Sequence, residues 1–124
     1  MVDGMNVIGT RPDGWWRDID GAVIRLARCL AAWAEAEQHD VTVVFDGRPA
    51  PGLDDVDRGR LEVAFAGRGR SADDEIVRRV GTEPAAGSLQ VVTSDWLLAD
   101  RVREAGAGEV VGSGRFRRLL DPYC

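Results

Sequence analysis

The chain has 124 residues, and 16 basic side chains against 21 acidic ones give it a formal net charge of −5. Apolar residues at 44% and charged residues at 30% are ordinary for a globular protein. The length suits one compact domain with one core, and no apolar run approaches the roughly 18 to 20 residues that span a bilayer.

The inventory of reactive groups narrows the chemistry further. All 16 basic residues are arginines. The absence of lysine excludes a Walker-type phosphate lysine, a Schiff-base lysine, and the lysine of receiver domains and haloacid-dehalogenase phosphatases. One histidine, His39, and two cysteines, Cys29 and Cys124, are one soft ligand short of a closed zinc site. Cys29 reads as a small core residue and Cys124 as an exposed terminal thiol, with no disulfide framework. His39 reads as a surface residue, because no GxSxG nucleophile elbow accompanies it. The 14 aspartates and 7 glutamates remain, so an enzyme built from this chain would run on carboxylates and a hard metal ion. The opening Met1-Val2-Asp3-Gly4 carries an acid where a signal peptide has basic residues, and a soluble, cytoplasmic domain is expected.

Secondary-structure signals alternate along the chain. Residues 2–8 read as a short strand, whose missing lead-in leaves open whether it is truncated or simply short. Residues 20–37 read as a helix, with Val23, Leu26, Ala27, Leu30, Ala31, Trp33 and Ala34 at helical spacing. Residues 41–45 (VTVVF) and 61–65 read as buried strands on either side of a turn-rich loop at 46–52. A short helix at 72–80, a strand at 89–93 and a helix at 96–105 follow, the last ending at Gly106 and Gly108. A strand at 109–111 and an arginine-rich helical tail close the chain. Unbroken apolar strands separated by helices indicate an α/β fold with a parallel sheet covered on both faces. Trp33 and Trp96 are expected in the core, and Trp15 and Trp16 either at its edge or on a ligand platform.

In open α/β sheets ligands bind beyond the carboxyl ends of the strands, and there the acids fall. Asp3 lies in VDGMN with Asn6 close behind. Asp46 follows VTVVF, Asp95 follows VVTS, and Asp73-Asp74-Glu75 open the helix after the third strand. Several like charges at ~4 to 6 Å repel unless a cation joins them, and oxygen ligands select Mg²⁺ or Mn²⁺. Each acid also has a plainer reading. Asp46-Gly47 is a common turn pair, Ser94 or Asp95 can cap a helix, and Ser71 begins a sequence like a capping box. Asp3 is the exception, since an unpaired acid in a buried strand costs several kcal/mol.

The ordered set VDGMNVIG, VVFDG, AFAGRGRSADDEIVRRV and VVTSDWLLADRV resembles the NYN branch of the PIN-like nucleases, and within it the YacP-like bacterial proteins. The motifs span residues 2–102; Met5 stands where the family often carries an aromatic residue. The resemblance implies a single PIN-like domain over residues 1–124, a three-layer α/β/α sandwich around a mainly parallel sheet of four to five strands. It also implies a metal-dependent endoribonuclease. Asp3, Asp73, Asp95 and Asp46, with Asn6, would be catalytic. Asp3, Asp73 and Asp95 would bind Mg²⁺ or Mn²⁺, with Asp74 competing with Asp73, and Thr93 and Ser94 would orient the ligands.

The implied chemistry is attack of water on an RNA phosphodiester, leaving a 5′-phosphate and a 3′-hydroxyl. Arg48, Arg68, Arg70 and Arg11 are the candidate RNA contacts, although any one of them taken singly reads first as a solvated residue paired with a nearby acid. The expected partner is RNA of unspecified type, with the ribosome and a second copy of the chain as further candidates and no membrane. Two other readings compete: an RNA- or ribosome-binding module without turnover, and the toxin nuclease of a toxin–antitoxin pair.

Overall fold

The computed structural model describes all 124 residues, Met1–Cys124. Its elements in chain order are β1 (Val2–Asp3), α1 (Gly4–Ile8), α2 (Ile19–Glu37), β2 (Val41–Phe45), β3 (Leu61–Phe65), α3 (Ala72–Thr82), β4 (Gln90–Val92), α4 (Trp96–Glu104), β5 (Glu109–Val111) and α5 (Ser113–Leu120). Short 3₁₀ turns lie at Trp15–Arg17, Leu53–Asp55, Ala86–Ser88 and Asp121–Tyr123.

The strands form one five-stranded sheet in the order β3-β2-β1-β4-β5, and every pairing is parallel. Val2 pairs with Val43 on one side and Val92 on the other. The chain steps outward from β1 through β2 to β3, then returns across the sheet to place β4 on the other side of β1. The strand order therefore reverses between β1 and β4, which opens a crevice at their carboxyl ends.

Alternation along the strands feeds two cores. Val41, Val43 and Phe45 join Val2, Leu61 and Val92 against α1, α2 and α5. Val44, Ala64 and Val91 point the other way, onto Ile76 and Val80 of α3 and Leu98 and Val102 of α4. Each fully buried Leu, Ile or Phe contributes about 1.5–3 kcal/mol relative to exposure. The result is the expected α/β sandwich, with helices on both faces of a parallel sheet.

Three expectations are corrected. The strand expected over 2–8 stops at Asp3, and the chain turns into α1. An apolar run of this length satisfies either period, and packing decides it: Gly4 sits so close to the Phe45 ring that a Cβ there would collide with it. Val7 and Ile8 are then buried against α2 and α5 from a helix rather than a strand.

Trp96, expected in the core, is 70% exposed. It is the first residue of α4 and stands at the open edge of the sheet, ahead of the Leu98, Ala99 and Val102 that reach the interior. Trp33 does pack on the core, edge-on to Phe116 at 5.1 Å between centroids.

Cys29 and Cys124, expected as separate thiols, form a disulfide across 95 positions of sequence, with Cα atoms 4.9 Å apart. The turn at Asp121–Tyr123 brings the chain end back onto α2. Arg11 donates to Asp121 at 2.7 Å and the Tyr123 hydroxyl to Glu37 at 2.7 Å. These contacts hold Cys124 over Cys29, whose own side of α2 is buried.

Candidate active site

The carboxyl ends of β1, β2 and β4 and the start of α3 bring four aspartates to one edge of the sheet. Asp3 closes β1 and is only 5% exposed. Its Oδ2 accepts a hydrogen bond from the Thr93 hydroxyl at 3.0 Å. The Thr93 oxygen in turn accepts from the backbone N–H of Asp95 at 3.1 Å, which leaves its proton free to point at Asp3. Burial pushes the Asp3 carboxyl up to about 6; the Thr93 hydroxyl opposes that shift, and the charges of Asp73 and Asp46 reinforce it.

Asp46 follows β2, and its Oδ1 accepts from the Ala72 N–H at 2.8 Å. Ser71 caps the same helix by accepting from the Asp74 N–H at 3.1 Å. Together they fix the first turn of α3, which carries Asp73. Burial raises the Asp73 carboxyl above its ordinary range, and the charges of Asp95, Asp46 and Asp74 add to this, partly offset by Arg101.

Asp95 caps α4, with Oδ1 accepting from the N–H groups of Leu97 at 3.0 Å and Leu98 at 3.4 Å. The turn and cap readings of these acids therefore hold alongside their clustering. Asp46 and Asp95 each commit one carboxylate oxygen to the backbone and leave the other unbonded, while Asp3 is held by the Thr93 hydroxyl and the Asn6 backbone N–H. Asp74 is different: it accepts from Arg101 at 2.9 Å, and that bond foremost holds its carboxyl below the usual range.

Asn6 works as a clasp. Its side-chain oxygen accepts from the Ser94 N–H at 2.8 Å and from the Ser113 hydroxyl. The Ser94 hydroxyl accepts from the Ser113 N–H at 2.8 Å. Three segments, α1, the β4–α4 turn and the start of α5, are thereby locked around the crevice. Ser113 is fully buried and was not apparent from sequence, where the only hint was a Gly-Ser pair ahead of the tail helix. Gly4, packed on Phe45, and the exposed Trp96 also flank the crevice.

The arginines divide into two groups. Arg48, Arg68 and Arg70 lie on the loops after β2 and β3, joined at that edge by backbone bonds from Ala66 to Phe45 and from Gly67 to Gly47. All three are exposed and none forms an ion pair. Arg11 instead spends its guanidinium on Asp121, away from the acids.

The acids form an all-oxygen donor set suited to a hard divalent cation, and burial foremost, with the neighbouring negative charges adding to it, raises the Asp3 and Asp73 carboxyls. As the side chains stand, no three acidic, histidine or cysteine groups converge to metal-holding distance. No helix is long and apolar enough to cross a membrane.

A parallel sheet covered on both faces, with carboxylates at its switch point, is an open α/β domain whose ligand site lies at that edge. The chain belongs to the YacP-like NYN domain family, whose model matches residues 1–121, a nuclease-like, RNA-associated family. It is similar to the crystal structure of Rae1 (YacP) from Bacillus subtilis, with 26% identity and a TM-score of 0.79 over 98% of this chain and 72% of that one. A tryptophan-to-leucine mutant of Rae1 gives 25% identity and a TM-score of 0.78, covering 98% and 74% of the two chains. Comparison with curated proteins returned no match.

Proposed function

We propose that this protein is a metal-dependent endoribonuclease in which Asp3, Asp46, Asp73 and Asp95 hold Mg²⁺ or Mn²⁺ at the β1–β4 switch point. The observation that carries the reading is the gathering of Asp3, Asp46, Asp73 and Asp95 at one edge of the sheet in a YacP-like fold, where burial foremost, with neighbouring acids adding to it, raises the Asp3 and Asp73 carboxyls. Proteins do not gather like charges without compensation, and a divalent ion supplies it. Such an ion, when bound, acidifies a water and offsets charge on the leaving oxygen.

The chain's own residues would do the rest. Asp3 and Asp95, set by Thr93, and Asp73 and Asp46, set by the start of α3, offer carboxylate oxygens to the cation. Asn6 and Ser94 fix the crevice walls. Arg48, Arg68 and Arg70 approach the phosphates of the strand, and Trp96 and Leu97 offer an apolar surface to unstacked bases. Attack by water rather than by the RNA 2′-hydroxyl leaves a 5′-phosphate and a 3′-hydroxyl. Asp74, engaged by Arg101, stands aside unless Asp73 is lost.

The test is cleavage of a long mixed-sequence RNA with Mg²⁺, Mn²⁺ or EDTA, comparing wild type with Asp95→Asn. Cleavage that requires metal and disappears in the mutant is the expected result. A second reading, an RNA-binding module without turnover, draws on the unconverged acids. RNA binding without cleavage under either metal would establish that reading and overturn the first.

A further inference from the structure

A second site lies away from the acids, on the face built by α2 and α5. A cavity of about 320 Å³ opens there between the two helices and the segment after α1. Arg25 and Arg28 reach it from α2, one turn apart on the same helix face, and Arg117 reaches it from α5. None of the three forms an ion pair. The Arg117 Nε is buried and has no hydrogen-bond partner, the only buried side-chain nitrogen or oxygen in the protein left so. A buried guanidinium nitrogen without an acceptor is costly, and three guanidiniums around one cavity in a chain of net charge −5 repel one another.

Asp13 is the one acidic side chain on the wall, so arginines outnumber acidic side chains there and the lining is net positive. A phosphate monoester, which carries about −1.5 to −2 at pH 7, offers such a lining more negative charge than the single charge of a phosphodiester. Guanidiniums are suited to this role, since their forked donors fit phosphate oxygens. Trp15 adds a flat apolar wall, and the volume is within the ordinary range for a small-ligand pocket. We infer that this cavity is a binding site for a nucleoside 5′-monophosphate, its phosphate held by Arg25, Arg28 and Arg117 and its base against Trp15.

The site is independent of the acidic edge and of any cleavage there. Calorimetric titration of the full, oxidised protein in EDTA with AMP, adenosine, inorganic phosphate and the 5′-hydroxyl dinucleotide ApA tests it. AMP is expected to bind at least about tenfold more tightly than adenosine or ApA, and more tightly than phosphate alone. Arg28→Gln and Arg117→Gln should each weaken AMP about tenfold or more. Arg103→Gln, whose arginine pairs with Asp100 on α4, should not.

Equal binding of AMP and adenosine, or wild-type affinity in Arg28→Gln, overturns the proposal. Circular dichroism checks the fold of Arg117→Gln, and the exposed Arg28 decides the matter if that variant fails to fold. Asp95→Asn should bind AMP as wild type does; loss of binding there would place the nucleotide at the acidic edge and refute the cavity. Failure of the nuclease reading would leave all these titrations unchanged.

Discussion

The Thr93 hydroxyl donates to the buried carboxylate of Asp3 across the switch point, at 3.0 Å. That bond and the Asn6 backbone N–H favour the ionised carboxylate but do not offset its desolvation. Asp3 is thus held at a cost to stability, as is common for residues kept for function rather than folding.

This gives a pH-dependent prediction. The folded carboxyl has a pKa of about 6 against an ordinary aspartate value of 3.8, so the folded chain binds the proton more tightly than the unfolded one. The group's contribution is neutral below about pH 4, and stability falls as the pH rises towards 6 and beyond. The full cost is at most about 3 kcal/mol. In EDTA at pH 7.5, Asp3→Asn, which can still accept from Thr93, should be more stable than wild type by up to that amount. The gap should close by pH 4. Urea unfolding of both proteins at the two pH values measures it; an unchanged gap would show that Asp3 is not strained.

Metal should reverse the order. If the acids hold a divalent cation, saturating Mn²⁺ raises the melting temperature of wild type, because an ion bound only by the folded state stabilises it by mass action. Asp3→Asn should gain much less. Thermal unfolding with and without Mn²⁺ reads this directly, and equal gains in both proteins would place the ion elsewhere.

The clasp around Asn6 predicts a purely structural loss. Asn6→Ala strands the Ser94 N–H and the buried Ser113 hydroxyl, at about 1–3 kcal/mol. Ser113→Ala leaves Asn6 its bond from Ser94 and should cost only about 1 kcal/mol. Chemical denaturation of the two variants distinguishes them, and equal losses would mean that Asn6 is not the hub.

How much of this was legible in the sequence follows the range of each interaction. The parallel α/β sheet and the edge that collects Asp3, Asp46, Asp73 and Asp95 were readable, because strand ends and helix starts are local signals and the topology rule does the rest. The boundary of β1 was not, since the run at residues 2–8 fits either period and the Gly4–Phe45 contact that decides it spans two elements. Ser113 lies 107 positions from Asn6, and nothing near it in sequence announces the bond. Cys29 and Cys124 looked unrelated for the same reason: only the return of the chain end across α2 joins them. Trp96 was misplaced because helical spacing says which face a residue shares, not whether the helix's first turn overhangs the sheet.

Trp96 yields a prediction of its own. It is 70% exposed immediately after Asp95, so truncation should change stability by no more than about 0.5 kcal/mol. Stacking of a base on an aromatic ring is worth about 1–3 kcal/mol, so Trp96→Ala should weaken binding of single-stranded RNA by about fivefold or more. Fluorescence anisotropy with a labelled oligonucleotide, in EDTA to suppress cleavage, provides the measurement. Unchanged affinity would remove Trp96 from the RNA path.

The disulfide is the last test, and it concerns the other face. Cys29 and Cys124 are 95 positions apart, and closing so long a loop restricts the unfolded chain by roughly 4–5 kcal/mol in the loop-entropy account. Reduction, or Cys124→Ser, should therefore lower the unfolding free energy by several kcal/mol. Because both cysteines line the arginine cavity, reduction should also weaken AMP there. The acidic edge is built from β1, β2, β4 and the starts of α3 and α4, none of which touches the bridge, so metal binding should be nearly unchanged. Urea unfolding and AMP titration with and without a phosphine reductant measure both effects. Equal stability in the oxidised and reduced states would mean that the hydrogen bonds of Asp121 and Tyr123 already hold the chain end, with the disulfide adding nothing.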